Sequence, residues 1–247
     1  MGRDVNAPQS AQAWRVAALT MMPPEELQQF LQGSEAAVWV EAAAACGIPE
    51  AQLLLGRLLL EGQGVAKDGR AAFACFLCAA KSGNADARNM VGRCYENGWG
   101  APRDFARAAE NYRLAAEAGL AWAQYNLGHL LLDGLGVSRD RNEAFLWYMR
   151  AASSGHERAM NLVARCFEEG WGTARNPAAA RNWYRKSAVS GYFRGAYNYA
   201  SILAAEGCTT GARLWFQRAL ATAPEPTRTN IRQALGQHPD PEFRALA

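Results

Sequence analysis

Apolar residues recur along the chain at the three- and four-residue spacings of amphipathic helices, in short segments that come in pairs. The segment AQYNLGHLLLDG (123–134) shows this spacing, and so does NEAFLWYMRAASSG (142–155). Between them, Gly134 predicts the C-cap of the first helix and Gly136 supports a reversal of the chain. The pattern therefore predicts a unit of two helices, neither of which can bury its apolar face alone.

This two-helix unit recurs with a period of 36 residues. A glycine after the second helix keeps the period at Gly47, Gly83, Gly119, Gly155 and Gly191. A Gly-x-Gly pair after the first helix recurs four times, and so does a polar residue at Asp68, Asp104, Asp140 and Asn176. A period between about 20 and 50 residues predicts a solenoid, in which stacked neighbours form a continuous core.

Alternate repeats resemble each other more closely than neighbouring repeats do. The stretches GRCYENGWG (92–100) and ARCFEEGWG (164–172) agree at six of nine positions. A similar pair is LGRLLLEGQGVAKD (55–68) and LGHLLLDGLGVSRD (127–140). We infer that a pair of repeats was duplicated, which places equal side chains on every second repeat along one surface.

These motifs resemble the Sel-1-like repeat family, whose 36-residue repeats are relatives of the tetratricopeptide repeat. The family pattern is A-x-x-x-L-G-x-x-Y-x-x-G-x-G-V-x-x-D followed by A-x-x-W-Y-x-x-A-A-x-x-G. Residues 123–140 and 144–155 follow it, with Leu131 in place of the usual tyrosine. The resemblance implies an all-α fold, a right-handed α-solenoid (superhelix) of about five helix-pair repeats with helical caps.

The ends of the chain depart from the repeat pattern and suggest three regions. Residues 1–35 form an N-terminal segment in which PPEELQQFLQG (23–33) predicts a capping helix, and residues 36–223 form the solenoid. In residues 224–247, Pro224 and Pro226 are expected to stop the last repeat helix, and TRTNIRQALG predicts a second capping helix. We expect the final residues, HPDPEFRALA, not to be well ordered.

Charge and composition argue against several classes of partner. The net charge of +3 indicates no nucleic-acid partner, and the lack of a run of 18 apolar residues predicts no membrane insertion. The start of the chain shows no secretory signal, so a cytoplasmic location is expected, or a periplasmic one if a signal peptide was removed. Of 26 basic residues only three are lysines, and this excess of arginine over lysine suggests a bacterial source.

Catalytic and cofactor motifs are weak, so the chain is not expected to be an enzyme. It has three histidines and no GxSxG stretch, and its Gly-x-Gly pairs lack the context of a phosphate loop. Cys75 and Cys78 form a CFLC stretch, but zinc would require a second matched pair. Cys94 and Cys166 are better explained as buried free thiols than as a disulfide or metal ligands, and neither a metal nor a cofactor is expected.

The resemblance to tetratricopeptide-like repeats implies that the first helix of each pair lines a concave groove. A basic ladder with asparagine and tyrosine neighbours then faces a protein or peptide partner, and the arginines favour an acidic one. The predicted partner-binding residues are Arg57, Asn89, Arg93, Trp122, Tyr125, His129, Asn161, Arg165 and Tyr197. In the alternative interpretation Arg93 pairs with Glu96, and Arg165 pairs with Glu168 or Glu169, on a solvated helix face.

Trp99 and Trp171 lie between the two glycines of their turns, where the other turns have Gln63 and Leu135. They suggest either an edge contact with a partner or a second copy, or packing onto the adjacent helices. The expected function is that of a non-enzymatic adaptor that binds a protein or peptide in its groove. The alternative is an immunity protein that neutralises a cognate effector by direct binding.

Overall fold

The computed structural model describes residues 36–247, and within that range it consists of helices and connecting loops without strands. The helix α1 (Ala36–Ala45) comes first. Five helix pairs follow: α2 (Pro49–Glu61) and α3 (Gly69–Lys81) in repeat one, α4 (Ala85–Asn97) and α5 (Phe105–Glu117) in repeat two, α6 (Ala121–Asp133) and α7 (Arg141–Ser153) in repeat three, α8 (Glu157–Glu169) and α9 (Pro177–Val189) in repeat four, α10 (Phe193–Ala205) and α11 (Thr209–Thr222) in repeat five. The chain closes with α12 (Glu225–Gly236) and α13 (Pro241–Arg244). The all-α solenoid fold is therefore confirmed.

The described chain divides into two compact units. The first ends at Ala123 and also takes in Leu135–Val137. The second comprises Gln124–Gly134 and Ser138–Ala247. Repeats one and two lie in the first unit and repeats four and five in the second, which also contains most of repeat three.

The recurring polar and glycine positions define the ends of the helices. In repeat two, the carboxylate of Asp104 accepts a hydrogen bond from the backbone N–H of Arg107 at 3.0 Å and caps the start of α5. Gly98 ends α4 in the left-handed conformation, with φ of 75°. A side chain at Gly100 would collide with the backbone of Gly69, at the start of the second helix of repeat one. The second glycine of the turn is therefore required by close stacking of consecutive repeats.

In repeats one, two and three, an aromatic ring of the second helix packs across a glycine of the first helix. Tyr112 lies on Gly92 and Tyr148 lies on Gly128, where an added Cβ would approach the ring to 2.6 Å and 2.5 Å. Phe76 takes this position in repeat one. All three rings are fully buried, so this ring is at the centre of the core in these three repeats.

The C-terminal region corrects one expectation. The final residues were expected not to be well ordered, but they contain α13, and Phe243 is only 2% exposed. Its ring packs edge-on against Phe216 of α11 with 5.3 Å between centroids. Burial of this aromatic ring offsets the entropy cost of ordering the tail.

Pro226 lies in the first turn of α12, a position that proline tolerates, so it is part of this helix as well as a stop for the preceding one. The predicted helix at residues 23–33 lies outside the described residues.

Candidate functional site

The basic residues predicted for the groove are exposed, whereas the predicted asparagines are buried. Arg57 projects from α2, Arg93 from α4 and Arg165 from α8, all into solvent. Asn89 and Asn161, on α4 and α8, are largely buried. The arginines are therefore accessible from solvent, and the two asparagines are largely shielded from it.

Each of two arginines lies over a tryptophan of its own turn. The guanidinium carbon of Arg93 is 5.2 Å from the centre of the Trp99 ring, and that of Arg165 is 4.8 Å from the centre of the Trp171 ring. Both tryptophans are half-buried, and Trp99 packs against the apolar core of repeats one and two. We call Arg93 with Trp99, and Arg165 with Trp171, the Arg–Trp clusters. The groove arginines and the turn tryptophans, predicted as alternative surfaces, are in contact in each cluster.

The glutamates next to the clusters are bound by tyrosines. The hydroxyl of Tyr112 donates a short hydrogen bond to Glu96, and that of Tyr184 donates to Glu168 at 2.5 Å. Burial and the neighbouring glutamate together raise the pKa of each tyrosine, so both hydroxyls keep their protons. Within residues 36–247 neither Arg93 nor Arg165 forms an ion pair, which does not support the alternative of paired charges on a solvated helix face.

Repeat three has different side chains at the positions equivalent to those of the Arg–Trp clusters and their glutamates. The rings of Tyr125 and His129 lie 4.6 Å apart, and the rings of His129 and Tyr148 lie 5.6 Å apart. His156 stacks on Tyr125 at 4.9 Å. We call these four residues the repeat-three ring cluster. The hydroxyl of Tyr148 is buried and has no hydrogen-bond partner among residues 36–247, and burial raises its pKa well above the usual value.

His156 also has a structural role in this cluster. Its Nδ1 accepts a hydrogen bond from the backbone N–H of Ala159 at 3.2 Å, so His156 is the N-cap of α8. Burial lowers the pKa of this histidine, which favours the neutral ring that the cap requires. The chain therefore uses one of its three histidines to begin a helix.

The remaining predicted residues lie outside the clusters. Arg57 is 3.8 Å from the carboxylate of Asp86 on α4, an exposed pair between the first two repeats. The amide nitrogen of Asn198 on α10 donates to the side-chain oxygen of Asn161 at 2.9 Å, which links repeats four and five. Tyr197 is half-buried against Phe216, and Trp122 is 43% exposed.

Sequence reasoning missed the tyrosines that bind the glutamates. Phe76, Tyr112, Tyr148 and Tyr184 follow the 36-residue period, and Glu96 and Glu168 each precede their tyrosine by 16 residues. This spacing is the signal that could have identified the pairs. To use this spacing, one must know that the tyrosine ring packs across the small residue of the first helix. The sequence alone does not show that contact.

Thiols and metal-ligating groups add no further site. All six cysteines are free, and Cys94 and Cys166 are buried as predicted. Burial raises their pKa values to about 11 and about 12, so both are protonated at neutral pH. Among residues 36–247 no three metal-ligating side chains lie together, and no helix is both long and apolar enough to span a membrane.

Several solved structures have a fold similar to that of this chain. The chain is similar to a Sel1 repeat protein from Oxalobacter formigenes, with 26% identity and a TM-score of 0.78 over 94% of each chain. It is also similar to c5321, a protective antigen of uropathogenic Escherichia coli strains with an SLR fold, at 26% identity and a TM-score of 0.74. That match covers 93% of this chain and 49% of the antigen chain, so the chain spans about half of the antigen's length.

A more distant likeness links the chain to the immunity protein Pa5087 from Pseudomonas aeruginosa. Identity is 15% and the TM-score is 0.55, over 80% of this chain and 74% of that one, which shows the fold alone. No curated protein sequence matches the chain. The family model described as Sel1 repeat matches four consecutive stretches, residues 49–84, 85–120, 123–156 and 157–192. These matches cover more than half of the chain and follow the observed helix pairs, and the chain therefore belongs to the Sel1 repeat family.

Proposed function

We propose that this chain is a non-enzymatic scaffold that binds a protein or peptide partner through the exposed face of its first helices. Sel1 repeat proteins generally mediate protein–protein interactions. The observation that carries the proposal is the pair of Arg–Trp clusters, one in each unit of the chain. Arginine and tryptophan are the residues most often enriched at the energetic centres of protein interfaces.

The chemistry of the clusters favours an acidic partner. Arg93 and Arg165 are exposed and form no ion pair within the described residues, so their guanidinium groups can bind carboxylates. Each guanidinium is held over an indole ring, which lowers the entropy cost of fixing the side chain on binding. Glu96 and Glu168 accept hydrogen bonds from tyrosines, and within residues 36–247 they form no ion pair with these arginines.

The test is affinity capture from the native host lysate with wild type beside Arg93→Glu/Arg165→Glu, read by mass spectrometry. We expect a partner that binds wild type stoichiometrically and is lost in the double variant. The partner is then purified, and its affinity for both proteins is measured by calorimetry. Reversal of one binding charge in each unit should weaken binding by about 100-fold or more.

A matched control separates this site from a general effect of charge. Arg70→Glu/Arg185→Glu reverses the same number of charges, also one in each unit, at exposed positions on second helices. This control should bind like wild type. A partner that binds all three proteins equally, when their circular dichroism and melting agree, would contradict a role for the Arg–Trp clusters.

The likeness to an immunity protein is one of fold alone, and the same capture experiment separates the two functions. A scaffold partner keeps its own activity in the complex. An immunity function predicts instead that the captured partner is a toxin whose activity is abolished by one equivalent of this chain. Measurement of the partner's toxicity with and without the chain distinguishes these outcomes.

A further inference from the structure

Repeat three differs from repeats two and four in one donor–acceptor pair. In repeats two and four, Glu96 or Glu168 accepts the hydrogen bond of the tyrosine that packs across the same helix. Repeat three keeps the tyrosine as Tyr148, but Leu132 stands at the position of the glutamate. The fold therefore retains the donor in repeat three and replaces the internal acceptor by an apolar side chain.

The hydroxyl of Tyr148 costs stability and is not needed for packing. Within the described part of the chain it is buried without a hydrogen-bond partner, on a side chain with 0% exposure. Repeat one shows that the ring alone suffices, because Phe76 fills the same position against Gly56. A hydroxyl at this position is stabilising only when an acceptor reaches it, as the glutamates do in repeats two and four.

The surroundings of this hydroxyl combine a cation with aromatic rings. Arg165, on the first helix of repeat four, lowers the pKa of Tyr148, while Asp133 at the end of α6 raises it. Arg165 would attract a carboxylate at this hydroxyl and Asp133 would oppose it. The ring of Tyr125 lies 6.3 Å from the Tyr148 ring, and that of His129 lies 5.6 Å from it, measured between centroids.

We propose that Tyr148 donates its hydrogen bond to a carboxylate of the bound partner, which takes the place that Glu96 and Glu168 fill internally in repeats two and four. This inference rests on the proposed function and names the group recognised at repeat three, an aspartate, a glutamate or a chain terminus of an acidic segment. Arg165 pairs with the same carboxylate. Tyr125 and His129 are half-buried and Leu132 is 8% exposed, so a carboxylate reaches the hydroxyl only when these side chains change rotamer.

The probe is a short acidic peptide, acetyl-Gly-Glu-Gly-Glu-Gly-amide, with the corresponding glutamine peptide as the matched control. The full chain is labelled with ¹³C at the tyrosine Cζ, and the Tyr148 signal is assigned by its loss in Tyr148→Phe. We expect the glutamate peptide to shift this signal saturably and the glutamine peptide to leave it unchanged. Tyr148→Phe should bind the glutamate peptide about tenfold more weakly, because a hydrogen bond to a charged group is lost.

A second variant, Leu132→Glu, tests the same position without removing the donor. It rebuilds in repeat three the pair found in repeats two and four, so the Tyr148 signal should move towards those of Tyr112 and Tyr184 without peptide. The new internal carboxylate then excludes the peptide's carboxylate, and binding should fall about tenfold or more. The inference is overturned if the glutamate peptide leaves the Tyr148 signal unchanged, or if both variants bind it like wild type.

Failure of this inference is distinguishable from failure of the proposed function. If Arg165→Glu abolishes binding of the glutamate peptide while Tyr148→Phe and Leu132→Glu have no effect, the cluster of Arg165 and Trp171 binds acidic ligands and Tyr148 does not take part. If none of the three variants affects the peptide, or the peptide does not bind wild type, the inference at Tyr148 is wrong. The role of the Arg–Trp clusters is then tested only by the affinity of the purified partner for wild type and for Arg93→Glu/Arg165→Glu.

Discussion

Repeats two, three and four share the same backbone fold. Repeat three differs from the other two in the side chains around the central tyrosine. All three pack a tyrosine ring of the second helix across the first helix, against Gly92, Gly128 or the small residue Ala164. Repeats two and four surround that ring with a glutamate, a buried cysteine and an Arg–Trp cluster. Repeat three has none of these groups at the equivalent positions and carries the ring cluster instead.

The comparison shows that the repeat has two kinds of position. The capping, glycine and ring positions are set by the stacking of helices, and they recur every 36 residues. Other positions of the first helix alternate every second repeat, as the duplication of a repeat pair predicts. They include the exposed Arg93 and Arg165 as well as the buried Cys94 and Cys166. The exposed members of this alternating set are the ones that a partner can contact.

The largest effect is expected when repeat four is made to resemble repeat three. Glu168→Leu removes the acceptor of the Tyr184 hydroxyl and leaves that hydroxyl buried. We expect the free energy of unfolding to fall by about 2 kcal/mol, measured by urea denaturation. The double variant Glu168→Leu/Tyr184→Phe should recover most of this loss, and a double variant no more stable than the single one would contradict a direct bond.

Alkaline pH should distinguish the repeats with a buried thiol from repeat three. Burial raises the pKa of Cys166 to about 12, whereas an unfolded cysteine ionises at about 8.5. Above that pH the unfolded chain loses a proton that the folded chain keeps, so stability falls by about 1.4 kcal/mol per pH unit for this thiol. Urea midpoints between about pH 8 and 10 should fall less steeply for Cys166→Ala, in the presence of a reductant.

Cys94 provides a second test of this pH dependence, because burial raises its pKa to about 11. Cys94→Ala should also make the fall of stability with pH less steep, in the same direction as Cys166→Ala. Equal slopes for wild type and Cys166→Ala would show that the thiol ionises without unfolding.

The same substitution should have opposite signs in repeats three and four. Tyr148→Phe removes a buried hydroxyl without a partner and should raise the free energy of unfolding by about 1 kcal/mol. Tyr184→Phe removes a bonded hydroxyl and should lower it by about 1.5 kcal/mol. Thermal and urea unfolding of both variants provide the measurement, and a loss of equal size in both would remove the distinction between the repeats.

The smallest effect is expected at the turn tryptophans. Trp171→Leu introduces the residue that repeat three has at Leu135 and removes the ring under Arg165. We expect a stability change of about 0.5 kcal/mol, since an exposed cation–π contact contributes little. The proton NMR signals of the Arg165 side chain should lose their ring-current shift, and unchanged signals would show that the arginine does not stack in solution.

The sequence by itself determined the helix pairs, their period and the ends of the helices. Asp104 and Gly98 act through short-range backbone contacts, so their positions in the sequence are enough to place the boundaries. The buried state of Cys94 and Cys166 followed in the same way, from the register of a helix that packs on its neighbours.

Only the tertiary structure decided which partner each polar side chain takes. Glu96 lies three residues after Arg93 on one helix, a spacing compatible with an ion pair, yet it binds Tyr112 from the next helix. The order of the tail was decided in the same way, because Phe243 gains its stability from Phe216 of another helix. Local spacing limits what a side chain can reach, but the groups that compete for it come from distant parts of the chain, and only packing brings them together.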